Sequence, residues 1–183
     1  FYALVFAVHD CGYIARCALE VDDSGLVRIQ KIKQIIADCR FGIHDISRVE
    51  ADPQTHLPRF NMPLELGLFL GAKRYGNKRQ QTKSCKILDT DRYRFQKFCS
   101  DLSGQDISAH HGDPEEAIKT VRNWFGKIRR NVLIPSGSKL AERYRKLQDD
   151  LPILCQPLKL TVAELTFLDF QNILVEWLRA NPW

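Results

Sequence analysis

The pattern of apolar and polar positions divides the chain into two parts. Up to about residue 130, short apolar runs that fit strands alternate with longer runs whose apolar residues recur at helical spacing. The strand-like runs are 13–21, 41–46, 84–88 and 106–109, and the helix-like runs are 26–39, 61–75, 93–102 and 114–128. Such alternation predicts an α/β fold with a mainly parallel sheet covered by helices on both faces. The first ten residues are apolar and fit either a helix or a strand.

The alternation stops near residue 130, and only helical patterns follow. Residues 135–138 read Pro-Ser-Gly-Ser, which is typical of a linker. Residues 139–151 carry apolar positions on one face, and 161–178 begins with Thr161 and Glu164 in the capping-box spacing. We therefore predict an α/β domain over residues 1–130 and a C-terminal helical extension over residues 131–183.

The stretch from residue 41 to residue 75 reads as a strand, a polar loop and a helix. The apolar strand ends at Asp45, and the helix opens around Asn61, with a proline two residues later. Proline suits the first helical turn because its missing N–H would have no partner there. The helix that follows is apolar on most sides, which predicts that it is buried.

Glu65 is the exception in this apolar helix, where the pattern puts it in the first turn. An unpaired buried carboxylate is costly. If Met62 is the N-cap, Glu65 occupies the capping-box position and has a purely structural role. If the strand is parallel, the helix start and Asp45 meet at the crevice where open α/β sheets bind ligands, and Glu65 has a functional role. The spacing leaves both interpretations open.

Composition narrows the class of protein. The chain has 183 residues, 44% apolar and 27% charged residues and a net charge of +5. It has no apolar run of the ~20 residues that a membrane-spanning helix needs, so we expect no membrane partner. The charge is too low for a dedicated nucleic-acid-binding protein, so we do not expect a nucleic-acid partner. The basic stretch 73–86 is either a solubilising surface or an attraction for phosphate groups.

The cysteines and histidines indicate neither disulfides nor a metal. The six cysteines form no C-x-x-C pair, and the five histidines show no metal-ligand spacing with them. This pattern is typical of reduced thiols in a cytoplasmic protein.

Two motifs carry a resemblance to a known superfamily. The strand-end motif is GIHDIS over residues 42–47, and the helix-start motif is NMPLELG over residues 61–67. Together they resemble nucleoside 2-deoxyribosyltransferase-like proteins, bacterial ones in particular, and more loosely the TIR-like NAD-cleaving domains. The resemblance covers about residues 1–130 and implies a flavodoxin-like three-layer sandwich. No first strand of that fold is visible after Phe1, so we expect upstream residues or a rearranged sheet.

The resemblance implies cleavage or transfer of the N-glycosidic bond of a nucleoside, a nucleotide or NAD. It places the family's glutamate, which acts as the nucleophile or as the key stabilising carboxylate, on Glu65 and its strand-end aspartate on Asp45. No cofactor is implied, and NAD would be a substrate. Six further residues near the predicted crevice are candidates for substrate binding: Asn61, Ser47, Arg48, Arg59, His110 and His111.

Two other classes of function stay open beside this enzyme. One is a module of the same fold that senses a nucleotide and carries out no chemistry. The other is an interaction domain, including a homo-oligomer, whose interface contains Leu165, Ile173 and Trp177. Loss of turnover with retained binding in a Glu65 variant would favour the enzyme over the sensor.

Overall fold

The computed structural model describes residues 1–129 and 132–183. The chain is an α/β protein, and the described residues form seven α-helices and one three-stranded parallel sheet. The helices are α1 (Tyr2–Asp10), α2 (Arg28–Asp38), α3 (Asn61–Tyr75), α4 (Lys78–Gln81), α5 (Pro114–Ile128), α6 (Gly137–Cys155) and α7 (Phe167–Ala180). The strands are β1 (Phe41–Asp45), β2 (Ser84–Asp89) and β3 (Ile107–Ala109).

The chain divides into two compact units. The sheet unit is Asp23–Asp113, and the helical unit joins Phe1–Asp22 to Pro114–Trp183. These units do not coincide with the predicted segments 1–130 and 131–183, because α1 and α5 pack against α6 in the helical unit.

The sheet has the order β1-β2-β3, with both pairs of neighbours parallel. Parallel neighbours need crossover connections. Helix α3 lies within the first connection, and two short 3₁₀ turns, Arg94–Lys97 and Ser100–Leu102, lie within the second. Because all three strands run the same way, their carboxyl ends share one edge. The core beneath that edge contains Ile46, Leu66, Ile87 and Phe95.

Helix α3 begins at the predicted residue but differs from the prediction in burial and capping. Leu66 and Phe69 are its buried residues, whereas Leu64 is 56% exposed. The prediction of a helix buried on nearly all sides is therefore wrong. The N-cap is Phe60, which makes no side-chain capping bond. Glu65 consequently lies in the second turn, and the capping-box interpretation of Glu65 is also wrong.

Two other predicted elements are absent. Residues 13–21 form no strand but an irregular segment with a 3₁₀ turn, Ala18–Glu20. Residues 93–102 form the two 3₁₀ turns rather than one helix, and α4 lies between the predicted runs 61–75 and 84–88, where no helix was expected. The first ten residues, which fitted helix or strand, form α1.

The helical unit is held by apolar packing and one buried ion pair. Fully buried side chains from four helices meet in its core: Phe6, Val121, Phe125, Leu140, Leu147, Phe170 and Leu174. Arg143 binds Asp10 through two hydrogen bonds, of 3.1 and 3.2 Å, and so joins α6 to the end of α1. The predicted capping box at Thr161 is present but opens a 3₁₀ turn, and a second one at Thr166 opens α7.

The structure also bears on the cysteines and on membranes. The six cysteines are thiols rather than disulfides, as predicted. Within the described ranges, no helix is both long and apolar enough to cross a membrane.

Candidate functional site

Polar side chains lie where each strand of the sheet ends. β1 ends at Asp45, β2 ends at Asp89, and His110 follows β3 directly. The carboxyl-terminal edge of a parallel sheet is the place where open α/β folds bind ligands. The strand ends therefore define the candidate site.

Asp45 and His110 meet across the end of β2. The Nε2 atom of His110 lies 3.4 Å from Oδ1 of Asp45, and the backbone N–H of Gly112 donates to Nδ1 over 3.1 Å. Because Nδ1 accepts a hydrogen bond, the proton of the neutral ring sits on Nε2 and points at the carboxylate. His110 is buried, so this arrangement is fixed by its surroundings.

One oxygen of Asp45 is held and the other is available. Oδ1 also accepts the backbone N–H of Ser47 over 3.0 Å, which makes a turn at the end of the strand. Oδ2 makes no hydrogen bond to any residue in the described part of the chain, and the side chain is one-third exposed. Oδ2 can therefore accept a hydroxyl group of a ligand or face a developing positive charge.

Asp89 and Arg94 form a second, more deeply buried pair at the same edge. Asp89 is fully buried, and its Oδ1 accepts from the Nε atom of Arg94 over 2.9 Å and from the backbone of Thr90 over 2.7 Å. Its Oδ2 has no hydrogen-bond partner among the residues that the structure describes. Burial acts to lower the pKa of Arg94, but the hydrogen bond and charge of Asp89 outweigh it and raise that pKa.

The sequence prediction did not include Asp89 or Arg94 among the site residues. The signal for Asp89 was present, since it ends an apolar strand as Asp45 does. Arg94 gave no such signal, because its contact with Asp89 depends on the 3₁₀ turn that replaces the predicted helix.

The other predicted binding residues are distributed differently. Ser47 belongs to the site through its backbone, as described above. His111 lies beside Asp91, with Nδ1 and Oδ1 3.4 Å apart, and both side chains are largely exposed. Arg59 forms an exposed ion pair of 3.6 Å with Asp52 in the loop before α3.

Arg48 and Asn61 are exposed and make no side-chain bonds with the described residues. The structure therefore brings together Asp45, Ser47 and His110. It links neither Arg48, Arg59 nor Asn61 to them by a hydrogen bond or ion pair between described atoms.

Glu65 is in an environment opposite to the expected one. A carboxylate that attacks or stabilises the ribose carbon, as the resemblance implies for Glu65, must be ionised. In the second turn of α3 the side chain is half-buried, and burial raises the pKa of Glu65, opposed by the charge of Arg28. Its carboxylate makes no hydrogen bond or ion pair with the residues that the structure describes. Burial therefore favours the protonated form of this group.

The basic stretch 73–86 is partly engaged in structure. The ammonium group of Lys83 is buried and donates to the backbone carbonyls of Ile36 and Cys39 at the end of α2. Arg79 donates to the carbonyl of Asp38 over 3.4 Å. These two side chains therefore serve the end of a helix instead of a phosphate group.

The site offers acid–base and electrostatic chemistry through its own side chains. Over the two described ranges, no group of three or more His, Cys, Asp or Glu side chains could hold a metal ion. Comparison of the chain with protein-family models, curated proteins and solved structures gives no match. The strand-end side chains and the two motifs are therefore the basis for a functional proposal.

Proposed function

We propose that the sheet unit binds the ribose of a nucleoside, a nucleotide or NAD at its carboxyl-terminal edge and cleaves or transfers the N-glycosidic bond. The observation that carries this proposal is the pairing of Asp45 with His110 at the strand ends. A flavodoxin-like sandwich is part of the proposal, and the parallel order β1-β2-β3 supports it.

Asp45 has the geometry of an electrostatic stabiliser. Cleavage of an N-glycosidic bond passes through an oxocarbenium-like state at the ribose carbon that bears the base, and a nearby carboxylate stabilises that charge. His110 and the Ser47 amide occupy Oδ1. The proposal therefore assigns Oδ2 of Asp45 to the ribose, either at a hydroxyl group or beside the developing charge.

Glu65 receives a revised role in this proposal. A nucleophile must be ionised, whereas burial raises the pKa of Glu65. Burial disfavours the charged form of Glu65 and so makes its carboxyl group a better proton donor, which suits protonation of a departing base. We therefore assign Glu65 the role of proton donor, in place of the nucleophile or stabilising carboxylate that the resemblance implies.

A nucleotide-sensing module of the same fold is the second candidate. Both ring nitrogens of His110 already have partners within the chain, so this histidine is held as a fixed support instead of a proton carrier. A site that binds a ribose without chemistry would need only such a fixed histidine and the carboxylate that it supports.

The interaction domain predicted from the C-terminal helices has less support. Its expected interface residues, Leu165, Ile173 and Trp177, are all buried in the helical unit. An interface made of these three side chains would require that unit to open.

Chromatographic detection of released base tests the proposal. Wild-type protein and the Asp45→Asn, Glu65→Gln and Asp106→Asn variants are incubated with NAD and a panel of nucleosides and nucleotides. We expect wild type to release one base and Asp45→Asn to be slower by about 10²-fold, the cost of removing one preorganised electrostatic group. Asp106 is the matched control, because its side chain is 99% exposed at the start of β3.

The outcomes separate the candidates. Equal rates for wild type and Asp45→Asn would remove Asp45 from the chemistry. An unchanged rate in Glu65→Gln would remove the proton-donor role. No released base, combined with thermal stabilisation of wild type by one nucleotide, would favour the sensor.

A further inference from the structure

We propose that Arg94 is the positioning residue of the candidate site: its guanidinium holds the peptide group between Ile46 and Ser47 so that the Ser47 N–H fixes the Asp45 carboxylate. This inference rests on the proposed function of the strand-end site.

One side of the guanidinium is anchored at the end of β2. The Nε and Nη2 atoms of Arg94 lie 2.9 and 2.7 Å from Oδ1 of Asp89. Asp89 is fully buried, so this ion pair is screened little by solvent. The ring of Phe98 lies beneath the guanidinium, 5.3 Å from its central carbon. The position of the guanidinium is therefore set by buried groups.

The other side of the guanidinium holds the segment that follows β1. Nη2 donates to the carbonyl of Ser47 over 2.5 Å and approaches the carbonyl of Ile46 at 3.4 Å. Nη1 binds the carboxylate of Glu50 over 2.8 Å. One side chain thus connects the end of β2 to the segment that leaves β1.

The link from Arg94 to Asp45 runs through a single peptide group. In a trans peptide the carbonyl and the N–H point in opposite directions. With the Ile46 carbonyl turned toward Arg94, the Ser47 N–H of the same peptide is turned toward Asp45, to which it donates over 3.0 Å. Rotation of this peptide would release Oδ1 of Asp45, and the orientation of Oδ2 would be lost with it.

Arginine is required for this role because the contacts lie in three directions. A planar guanidinium presents five N–H groups in a fixed fork, whereas an ammonium group is a single point of charge. Lysine at position 94 can neutralise Asp89, but its single ammonium nitrogen cannot reproduce the separate guanidinium contacts with Asp89, Ser47 and Glu50. The Arg94→Lys variant therefore keeps the charge and removes the positioning.

The test compares Arg94→Lys with Glu50→Gln, which changes only the outer contact. The Glu50 side chain is 68% exposed, so its ion pair with Arg94 is weak. We expect Arg94→Lys to accelerate hydrogen exchange at the Ser47 amide and to shift the NMR signals of the His110 ring. We expect Glu50→Gln to leave both readouts at the wild-type values.

Turnover supplies the second readout. A misplaced reacting group costs about 10²-fold, so Arg94→Lys should lower kcat by about that factor with little change in KM. Glu50→Gln should retain wild-type kcat. Asp89→Asn keeps an acceptor for Arg94, so we expect it to lower kcat by less than Arg94→Lys does. It serves as the second variant if Arg94→Lys does not fold.

The outcomes distinguish this inference from the proposed function. Unchanged Ser47 exchange and unchanged His110 signals in folded Arg94→Lys would overturn the positioning role, and so would an equal loss in Glu50→Gln. If wild type releases no base from any substrate, the proposed catalysis fails. The exchange and NMR measurements then still decide whether Arg94 orders Asp45.

Discussion

At the scale of single residues, His44 shows how burial in the sheet changes a side chain. The imidazole lies in β1 against Phe69, with ring centroids 5.1 Å apart, and its Nε2 atom has no hydrogen-bond partner within residues 1–129 and 132–183. Burial lowers the pKa of His44 from 6.5 to about 4. The ring is therefore neutral at physiological pH, and protonation at low pH would place a charge in an apolar site.

This environment predicts a pH-dependent free energy of unfolding. Between pH 6.5 and pH 4 the unfolded chain binds a proton at His44 and the folded chain does not, so stability falls as the pH falls through this window. When the pH is lowered from 7.5 to 5.0, we expect His44 alone to reduce the free energy of unfolding by about 2 kcal/mol. Urea unfolding of wild type and His44→Phe at the two pH values measures it, since phenylalanine does not titrate.

His56→Asn is the control for the histidine experiment. His56 is exposed and has a φ of 54°, which asparagine tolerates. Its variant should keep the wild-type loss of stability on acidification. An undiminished loss in His44→Phe would show that other groups cause it.

At the scale of elements, the end of α2 shows what the basic stretch does. The last carbonyls of a helix have no partners within it. Around this end, Lys83 donates to two carbonyls, Gln80 donates to that of Ala37 over 2.9 Å, and Arg79 donates to that of Asp38. Positive groups at this end also match the helix dipole. Helix α4 thus holds α2 through side chains.

Replacing Lys83 with methionine should destabilise the sheet unit by about 1–3 kcal/mol, because two carbonyls at the end of α2 lose their donor while the apolar stem remains. Denaturant unfolding followed by circular dichroism measures this. Lys78→Met in the neighbouring helix α4 is the matched control, since Lys78 is exposed and should change stability by less than about 0.5 kcal/mol. Equal effects of the two changes would contradict the capping role of Lys83.

The periodicity of apolar residues was sufficient to predict those strands and helices whose apolar residues form one buried face. The strands β1, β2 and β3 and the helices α2 and α5 lie within two residues of their predicted bounds. The predicted strand at 13–21 fails for a physical reason. Tyr13 stacks on Phe125 at 4.3 Å, so at least part of its apolar pattern serves packing against α5 instead of strand pairing.

The candidate site was predictable only where it follows from strand ends. Asp45 and His110 could be placed at one edge because parallel strands end together. The Asp89–Arg94 pair was not predictable as a unit, because Tyr93 adopts a φ of 63° and the chain turns there instead of continuing as a helix. The turn that Glu65 occupies depends on the N-cap, and the observed N-cap Phe60, two residues before Met62, places Glu65 in the second turn instead of the first.

At the scale of the whole molecule, both ends of the chain build one unit. Helix α1 packs against α5, α6 and α7, although more than 100 residues separate it from α5 in sequence. Its apolar pattern predicts burial but carries no information about which helices cover it. This long-range pairing is why the predicted boundary at residue 130 differs from the observed units.

The buried pair of Asp10 and Arg143 is the electrostatic part of that long-range pairing. Their side chains are 2% and 10% exposed, and the guanidinium also lies 4.1 Å from the ring centre of Trp183. The protein has three tryptophans, and all of them belong to the helical unit. Tryptophan fluorescence therefore reports on this unit alone.

Asp10→Asn should destabilise the helical unit selectively. Removing one member of a buried ion pair leaves an uncompensated charge and costs about 3–5 kcal/mol. We expect the denaturant concentration at the midpoint of unfolding, measured by tryptophan fluorescence, to fall in proportion to this loss of free energy. The hydrogen-exchange protection of the β2 amides should remain, because the hydrogen bonds that Asp10 makes to described side chains go to Arg143 of the helical unit. Asp149→Asn, an exposed acid on α6, should leave the fluorescence midpoint in place. A parallel loss of β2 protection in Asp10→Asn would mean that the two units unfold as one cooperative body.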